Sequence, residues 1–375
     1  MWSNLYLFYM EKLKAFLERK DIEISVKRYG IDAMSAMAQG LFCTLLVGTI
    51  LNTLGSEFGI GFLTQEIMIG GKGFTLGALA SSMLGPAMAV AIGHSLRAPG
   101  MVFYSLVPVG YATNALGGAG GPFAVLLVSI IASECGKAVS KETKVDILVT
   151  PIVTLFAGIG LALLIAEPIG KGASWIGQLI MWATDLQPFL MGIFVAVIVG
   201  MALTLPVSSA AICAGLGLTG LAGGAAVAGC CAQMVGFAVM SFRENRWGGV
   251  VSQGIGTSML QMPNIVKNPK IWLVPILASA VTGPVATCLF GLQMNGAAIN
   301  SGMGTCGFCG PIGVWTGWVA PSQAALQNGA AAIVPTAFDW IGLLLVSIVL
   351  PAILCGLISE FFRKMNWIRE GDLKI

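Results

Sequence analysis

The stretch VDILVTPIVTLFAGIGLALLIA, residues 145–166, has one ionisable side chain, Asp146, near its start and only uncharged residues after it. Its length is that of an α-helix crossing the hydrocarbon of a bilayer, which takes about 20 mostly apolar residues. Seven more stretches read the same way: 33–54, 74–96, 121–140, 189–206, 225–242, 271–292 and 335–358. Four others, 100–118, 207–224, 247–262 and 296–320, are apolar but interrupted by Gly and Pro, and some are short. The pattern predicts an all-α integral membrane protein with about eight to ten transmembrane helices.

Composition supports that class. The 375 residues are 56% hydrophobic and only 10% charged, against about 25% charged in a soluble domain. The charges also gather at the ends. Residues 1–32 carry 11 of the 37 ionised side chains and residues 360–375 carry 7, which leaves 19 for the 327 residues between. Three regions follow: 1–29 as an amphipathic interfacial helix, 30–362 as a polytopic transport domain, and 363–375 as a cytoplasmic tail. In the first, Trp2, Leu5, Tyr6, Tyr9, Leu13, Phe16 and Leu17 share a helical face opposite Glu11, Lys12, Lys14, Glu18 and Arg19, as in a helix lying in the membrane interface or packed on a partner. The charged start does not resemble a cleaved signal. A net charge of +3, with no basic run interleaved with aromatics, argues against nucleic acid as a partner.

Lys and Arg favour the cytoplasmic side of a membrane protein. They cluster before the first span, at Lys137, Lys141 and Lys144, at Arg243 and Arg246, at Lys267 and Lys270, and from Arg363 to Lys374. Both termini are therefore expected in the cytoplasm, with an even number of crossings, in the bacterial inner membrane.

Fifty glycines are present. Small residues let membrane helices approach closely, but that does not explain two dense runs. One is Asn114-Ala-Leu-Gly-Gly-Ala-Gly-Gly-Pro122. The other runs from Asn295 through Asn300 and Gly302-Met-Gly-Thr-Cys-Gly-Phe-Cys-Gly310 to Pro311. Non-helical backbone at membrane depth is tolerated where protein buries it or it lines a cavity, and discontinuous segments mark substrate sites. Two Gly-rich discontinuous or re-entrant segments are thus expected to meet near the midplane. The candidate substrate-binding residues are His94, Asn114, Gly117, Gly118, Gly120, Glu134, Asn295, Asn300, Gly302, Gly304 and Thr305. Asn and Gln both donate and accept hydrogen bonds, which suits an uncharged solute dense in hydroxyls.

His94 and Arg97 would face one cavity if their helix continued, or would mark the interface if it ended there. Glu134 reads either as a local ion pair with Lys137, three residues on, or as a carboxylate that meets the solute. Trp315 and Trp318 read as sugar-stacking or as interfacial residues. Cys306-Gly-Phe-Cys309 has the spacing of a metal or redox pair but lacks a second ligand pair. No phosphate loop of the G-x-x-x-x-G-K-[ST] type occurs. The reading includes no catalytic residue, no metal and no cofactor.

The 114–122 run, with Leu96-Arg97-Ala-Pro-Gly-Met-Val, Val109-Gly110, Ser140-Lys-Glu-Thr-Lys-Val-Asp-Ile147 and Thr150-Pro151, resembles the membrane IIC component of the sugar phosphotransferase system. The branch is the one that includes the perfringolysin regulator-like proteins, and Gly302–Gly310 fits it. The resemblance covers about residues 33–360. It implies a homodimeric permease for a sugar or sugar alcohol, phosphorylated by a soluble IIB-type partner at the expense of phosphoenolpyruvate. The chain has no IIA or IIB domain of its own, so a separate partner is needed. The alternatives are a secondary transporter of a small organic solute and a membrane sensor or regulator. Membrane lipid and a small-molecule substrate are partners in either transport reading.

Overall fold

In hydrocarbon every backbone N–H and C=O must find a partner within the protein, and a helix supplies one residue by residue. The computed structural model describes residues 2–327 and 329–375, with side chains from residue 11 onward except those of Glu57 and Ala324. After the N-terminal helix α1 (Trp2–Arg19) come α2 (Lys27–Ser56), α3 (Leu76–Ser82), α4 (Leu84–Ser95), α5 (Gly100–Gly117), α6 (Gly121–Val139) and the 39-residue α7 (Asp146–Thr184). The second part holds α8 (Pro188–Thr204), the short α9 (Ser209–Leu216), α10 (Gly220–Met240), α11 (Lys270–Leu289), α12 (Cys309–Val319) and α13 (Ala337–Lys364). By length and composition, six helical segments among the described residues can cross a membrane, or seven if α3 and α4, bent by 51°, form one span.

The run from Gly100 to Val139 is a single apolar segment by that criterion but folds back on itself. A Cβ on Gly136 would lie 2.7 Å from the Val102 side chain, so the foot of α6 meets the foot of α5. The interruption expected in 100–118 does not break the helix, and Pro108 is accommodated inside α5. A feature the hydropathy pattern did not announce is a small exposed hairpin, β1 (Ile67–Ile69) paired with β2 (Lys72–Phe74). It turns at Gly70 and Gly71, both at positive φ, as a tight two-residue hairpin loop requires.

The helices pack through small residues. Gly85 of α4 and Gly110 of α5 lie so close that a Cβ on either would overlap the other's carbonyl. Gly283 of α11 meets Gly192 of α8 in the same way, and Gly229 of α10 meets the Ala196 carbonyl of α8. Without a hydrophobic drive between helices in lipid, such close backbone contact supplies the association. Helix α10 is the axis: 94% of its apolar window is buried, against 22% for α7. The exposed face of α7 is apolar up to Ala166, including Phe156, Leu163 and Leu164, which suits contact with lipid; the exposed Glu167–Lys171 pair follows.

The two ends of the bundle differ. Residues 262–267 pack on residues 27–32, Lys20 donates to the Ser140 carbonyl, Asn268 donates to the Trp367 carbonyl, and Arg363 pairs with Glu244 at 2.8 Å. The N-terminal segment, the foot of the 100–139 hairpin and the C-terminal tail therefore share one charged end. The β-hairpin and residues 290–300 and 320–336 make up the far end.

Candidate functional site

Each glycine run has a distinct place. In the first, Gly118 (φ 51°, ψ −125°) reverses the chain and Gly118–Gly120 form one turn of 3-10 helix at the hairpin tip. Gly117 and Gly120 press on the backbone of α7 near Ala166 and Ile169. Asn114 is half-buried, and its Oδ1 has no hydrogen-bond partner among the described residues. The second run is irregular through residues 290–308 before α12 begins. Gly304, Gly307 and Phe308 take positive φ there. Gly302 lies against the Ser209 backbone, Gly304 against Cys230 and Cys231 of α10, and Gly307 against Ile50 of α2.

A break between α8 and α9 links the two runs. The Ser208 N–H donates to the Ala119 carbonyl at 3.0 Å, and Ser209 Oγ donates to the Gly302 carbonyl at 2.8 Å. Leu205–Ser209 is thus the discontinuous segment on which both runs converge. Asn300, Ser301 and Thr305 are buried in the second run. Ser301 Oγ donates to the Leu218 carbonyl, whereas Thr305 Oγ1 has no partner among the described residues. Cys309 Sγ lies 3.4 Å from Thr53 Oγ1.

At the far end a cavity of about 280 Å³ opens beside this run, lined by Thr219, Gly220, Leu221, Gln293, Asn295, Ala325, Gly329 and Ala330. Paired backbone hydrogen bonds between Gly220 and Met294, both 3.0 Å, fix its wall. Asn295 is 3% exposed. Its Nδ2 donates to Gln293 Oε1 at 3.2 Å, while its Oδ1 is buried without a partner among the described residues. A buried polar atom left unpaired costs about 1–3 kcal/mol. No charged residue is among the described lining residues. Trp318 is buried with its ring edge on Trp340, and Trp315 lies beside Phe58 and Trp340, so both tryptophans belong to an aromatic cluster near the cleft.

A second set of neutral donors and acceptors runs through the interior. Gln233 Oε1 accepts from Thr204 Oγ1 and Trp272 Nε1, and its Nε2 is unpaired. Gln253, Gln261 and Asn264 form a relay of amides ending on the Leu373 and Lys374 carbonyls of the C-terminal tail. Each of these side chains lies in an apolar stretch of the sequence, but the sequence gives no sign of which of them meet. The partners lie up to 112 residues apart, and nothing local records that.

His94 and Glu134 are not near the second glycine run. α4 stops at Ser95 and Arg97 turns to φ 56°, so His94 and Arg97 do not share a helical face. His94 is exposed, with Phe103 at its ring edge. Glu134 pairs with Lys137 at 3.0 Å and accepts from the Tyr29 hydroxyl at 3.1 Å. Lys137 is 2% exposed and also donates to the Asp21 and Leu96 carbonyls. Asp21 accepts both guanidinium N–H groups of Arg28, and that bonding outweighs partial burial to hold its carboxyl below the ordinary 3.8. Glu142 is held low by the Lys20 ammonium, with Arg19 adding to it.

The model of the family described as "Phosphotransferase system, EIIC" matches residues 31–375. No curated protein and no solved structure matches the chain.

Proposed function

Because the chain belongs to the phosphotransferase-system EIIC family, and is therefore a membrane permease component of that system, we propose that it translocates a neutral sugar or sugar alcohol that a separate IIB-type partner phosphorylates. The observation that carries the choice of solute is the cleft lining: its polar side chains, those of Thr219, Gln293 and Asn295, are all neutral, and no charge is on its described lining. Uncharged donors and acceptors suit hydroxyl groups, and a cavity of this volume is at the small end of the range for small-molecule sites, about 300–1,000 Å³. In this reading the charged end faces the cytoplasm, as its Lys and Arg content favours. This reading assigns the Ser208–Ser209 break, with Asn114 and Asn300 on the two runs it joins, to the route from the cleft to that end. Glu134, committed to Lys137 and Tyr29, holds the charged end together. The reading also includes a second copy of the chain as partner and a bacterial cytoplasmic membrane.

The test is uptake of a panel of sugars and sugar alcohols in cells with and without a IIB partner. The expected outcome is accumulation of one solute as its phosphate ester, dependent on phosphoenolpyruvate and IIB. Asn295→Ala should raise KM about three- to tenfold, the loss of one neutral hydrogen bond. Accumulation of unmodified solute, driven by an ion gradient without a phosphoryl donor, would sink the proposal in favour of secondary transport.

A further inference from the structure

Three helices end at one cavity of about 430 Å³ at the charged end, lined by Arg19, Lys20, Asp21, Arg97, Pro99, Lys137, Ser140, Lys141 and Glu142. The helices are α1, α4 and α6. Just past each end a charged residue takes left-handed backbone: Asp21 (φ 52°), Arg97 (φ 56°) and Lys141 (φ 62°). Only six non-glycine residues among those described have positive φ, and three of them line this cavity. That position after a helix usually goes to Gly, because a side chain there costs about 1–2 kcal/mol. In a chain with 50 glycines, the use of Asp, Arg and Lys at all three positions points to a role for the side chains.

Capping of the helix ends does not account for the cations. Cations do favour helix C-termini, but other residues already serve those carbonyls. Lys137 donates to the Asp21 and Leu96 carbonyls, Arg28 donates to Leu96, and Lys20 donates to Ser140. The carboxylates are also taken: Asp21 by Arg28, and Glu142 by Arg19 and Lys20. The Arg97 guanidinium and the Lys141 ammonium remain, both exposed, with no hydrogen bond or ion pair from either side chain among the described residues. Five basic residues face two carboxylates around the cavity. Pro99, also in the lining, precedes the first turn of α5, which has no side-chain cap. The first amides of such a helix have no partner within it and favour an anion.

We propose that this cavity binds a phosphate group, with Arg97 and Lys141 as its direct contacts and the α5 N-terminus behind it. A planar guanidinium and an ammonium match phosphate oxygens, and a doubly charged oxyanion offsets most of the local excess of positive charge. The group is either a free phosphate or phosphate ester, or the headgroup of an acidic lipid. The proposal does not rest on the transport reading, because it concerns binding to the purified chain.

The test follows thermal unfolding of the delipidated full chain in detergent against inorganic phosphate, with ionic strength held constant by chloride. A parallel arm uses nanodiscs of phosphatidylcholine with increasing phosphatidic acid. A ligand of the folded state raises the melting temperature saturably. The expected result is saturable stabilisation in at least one arm. It should be weakened about tenfold in affinity by Arg97→Gln and by Lys141→Gln, as for one lost charge-assisted hydrogen bond. Arg243→Gln, at the separate Arg243–Glu360 pair, should leave it unchanged. A response to phosphate identifies the free group as the source, and a response to phosphatidic acid alone identifies the headgroup. No saturable response in either arm, or the same response in Arg97→Gln, overturns the proposal.

Discussion

The two glycine runs are alike as strings, each opening with asparagine and closing on Gly-Pro, yet the structure uses them differently. Residues 114–122 sit between two uninterrupted helices, so the run only has to reverse the chain, and one residue, Gly118, takes the required backbone. Residues 295–311 follow a helix that has already ended at Leu289. Their backbone stays irregular, and their glycines touch α2, α9 and α10 in turn. The first run is a tip, and its hairpin is secured at the opposite end by Lys137. The second is packed along its whole length. Glycine density therefore marks close approach in both, and the flanking chain decides whether that approach makes a turn or a wedge.

The largest expected effect tests the foot of the hairpin. Lys137→Met should destabilise the protein by about 3–5 kcal/mol, since it leaves Glu134 without its buried cation and takes the side-chain donor from the Asp21 carbonyl, while Leu96 keeps Arg28. Thermal unfolding in detergent reads this, and a loss below about 1 kcal/mol would show that the hairpin is not held at its foot. The next contrast is between the runs themselves. Gly304→Ala places a Cβ 2.7 Å from Cys230 backbone at φ 54°, for about 2–4 kcal/mol of strain and overpacking. Gly118→Ala meets nothing within 4 Å and should cost about 1–3 kcal/mol from its backbone conformation alone (φ 51°, ψ −125°). Equal losses would erase the distinction between tip and wedge.

The smallest effect is that of pH. Asp21 and Glu142 have folded pKa values lowered from 3.8 and 4.5, so their contribution is complete above those values and lost as pH falls through the lowered ones. The docking of residues 11–28 on the hairpin foot should loosen only as pH falls below those ordinary values and be unaffected between pH 6 and 8. Hydrogen exchange over 11–28 measures this, and loosening confined to the alkaline side would contradict the assignment.

Much of the architecture was legible in the chain. The expected spans at 33–54, 121–140, 145–166 and 225–242 each correspond to a helix, and the Glu134–Lys137 spacing became an ion pair. The shared helical face of His94 and Arg97 did not form, because α4 ends between them and no local residue announces that end: the left-handed position holds Arg97 where a glycine would have signalled it.

Sequence alone determined that this is a multi-helix membrane protein with polar ends, because lipid acts on each segment separately and hydropathy sums along the chain. The tertiary structure decided which glycines wedge and which turn, that Ser208 and Ser209 join the two runs, and that Arg97 and Lys141 are left without a hydrogen bond or ion pair among the described residues while Lys137, Arg28 and Lys20 serve the neighbouring helix ends. Those outcomes depend on how many partners each group finds among residues a hundred positions away, a count that exists only once the chain has packed.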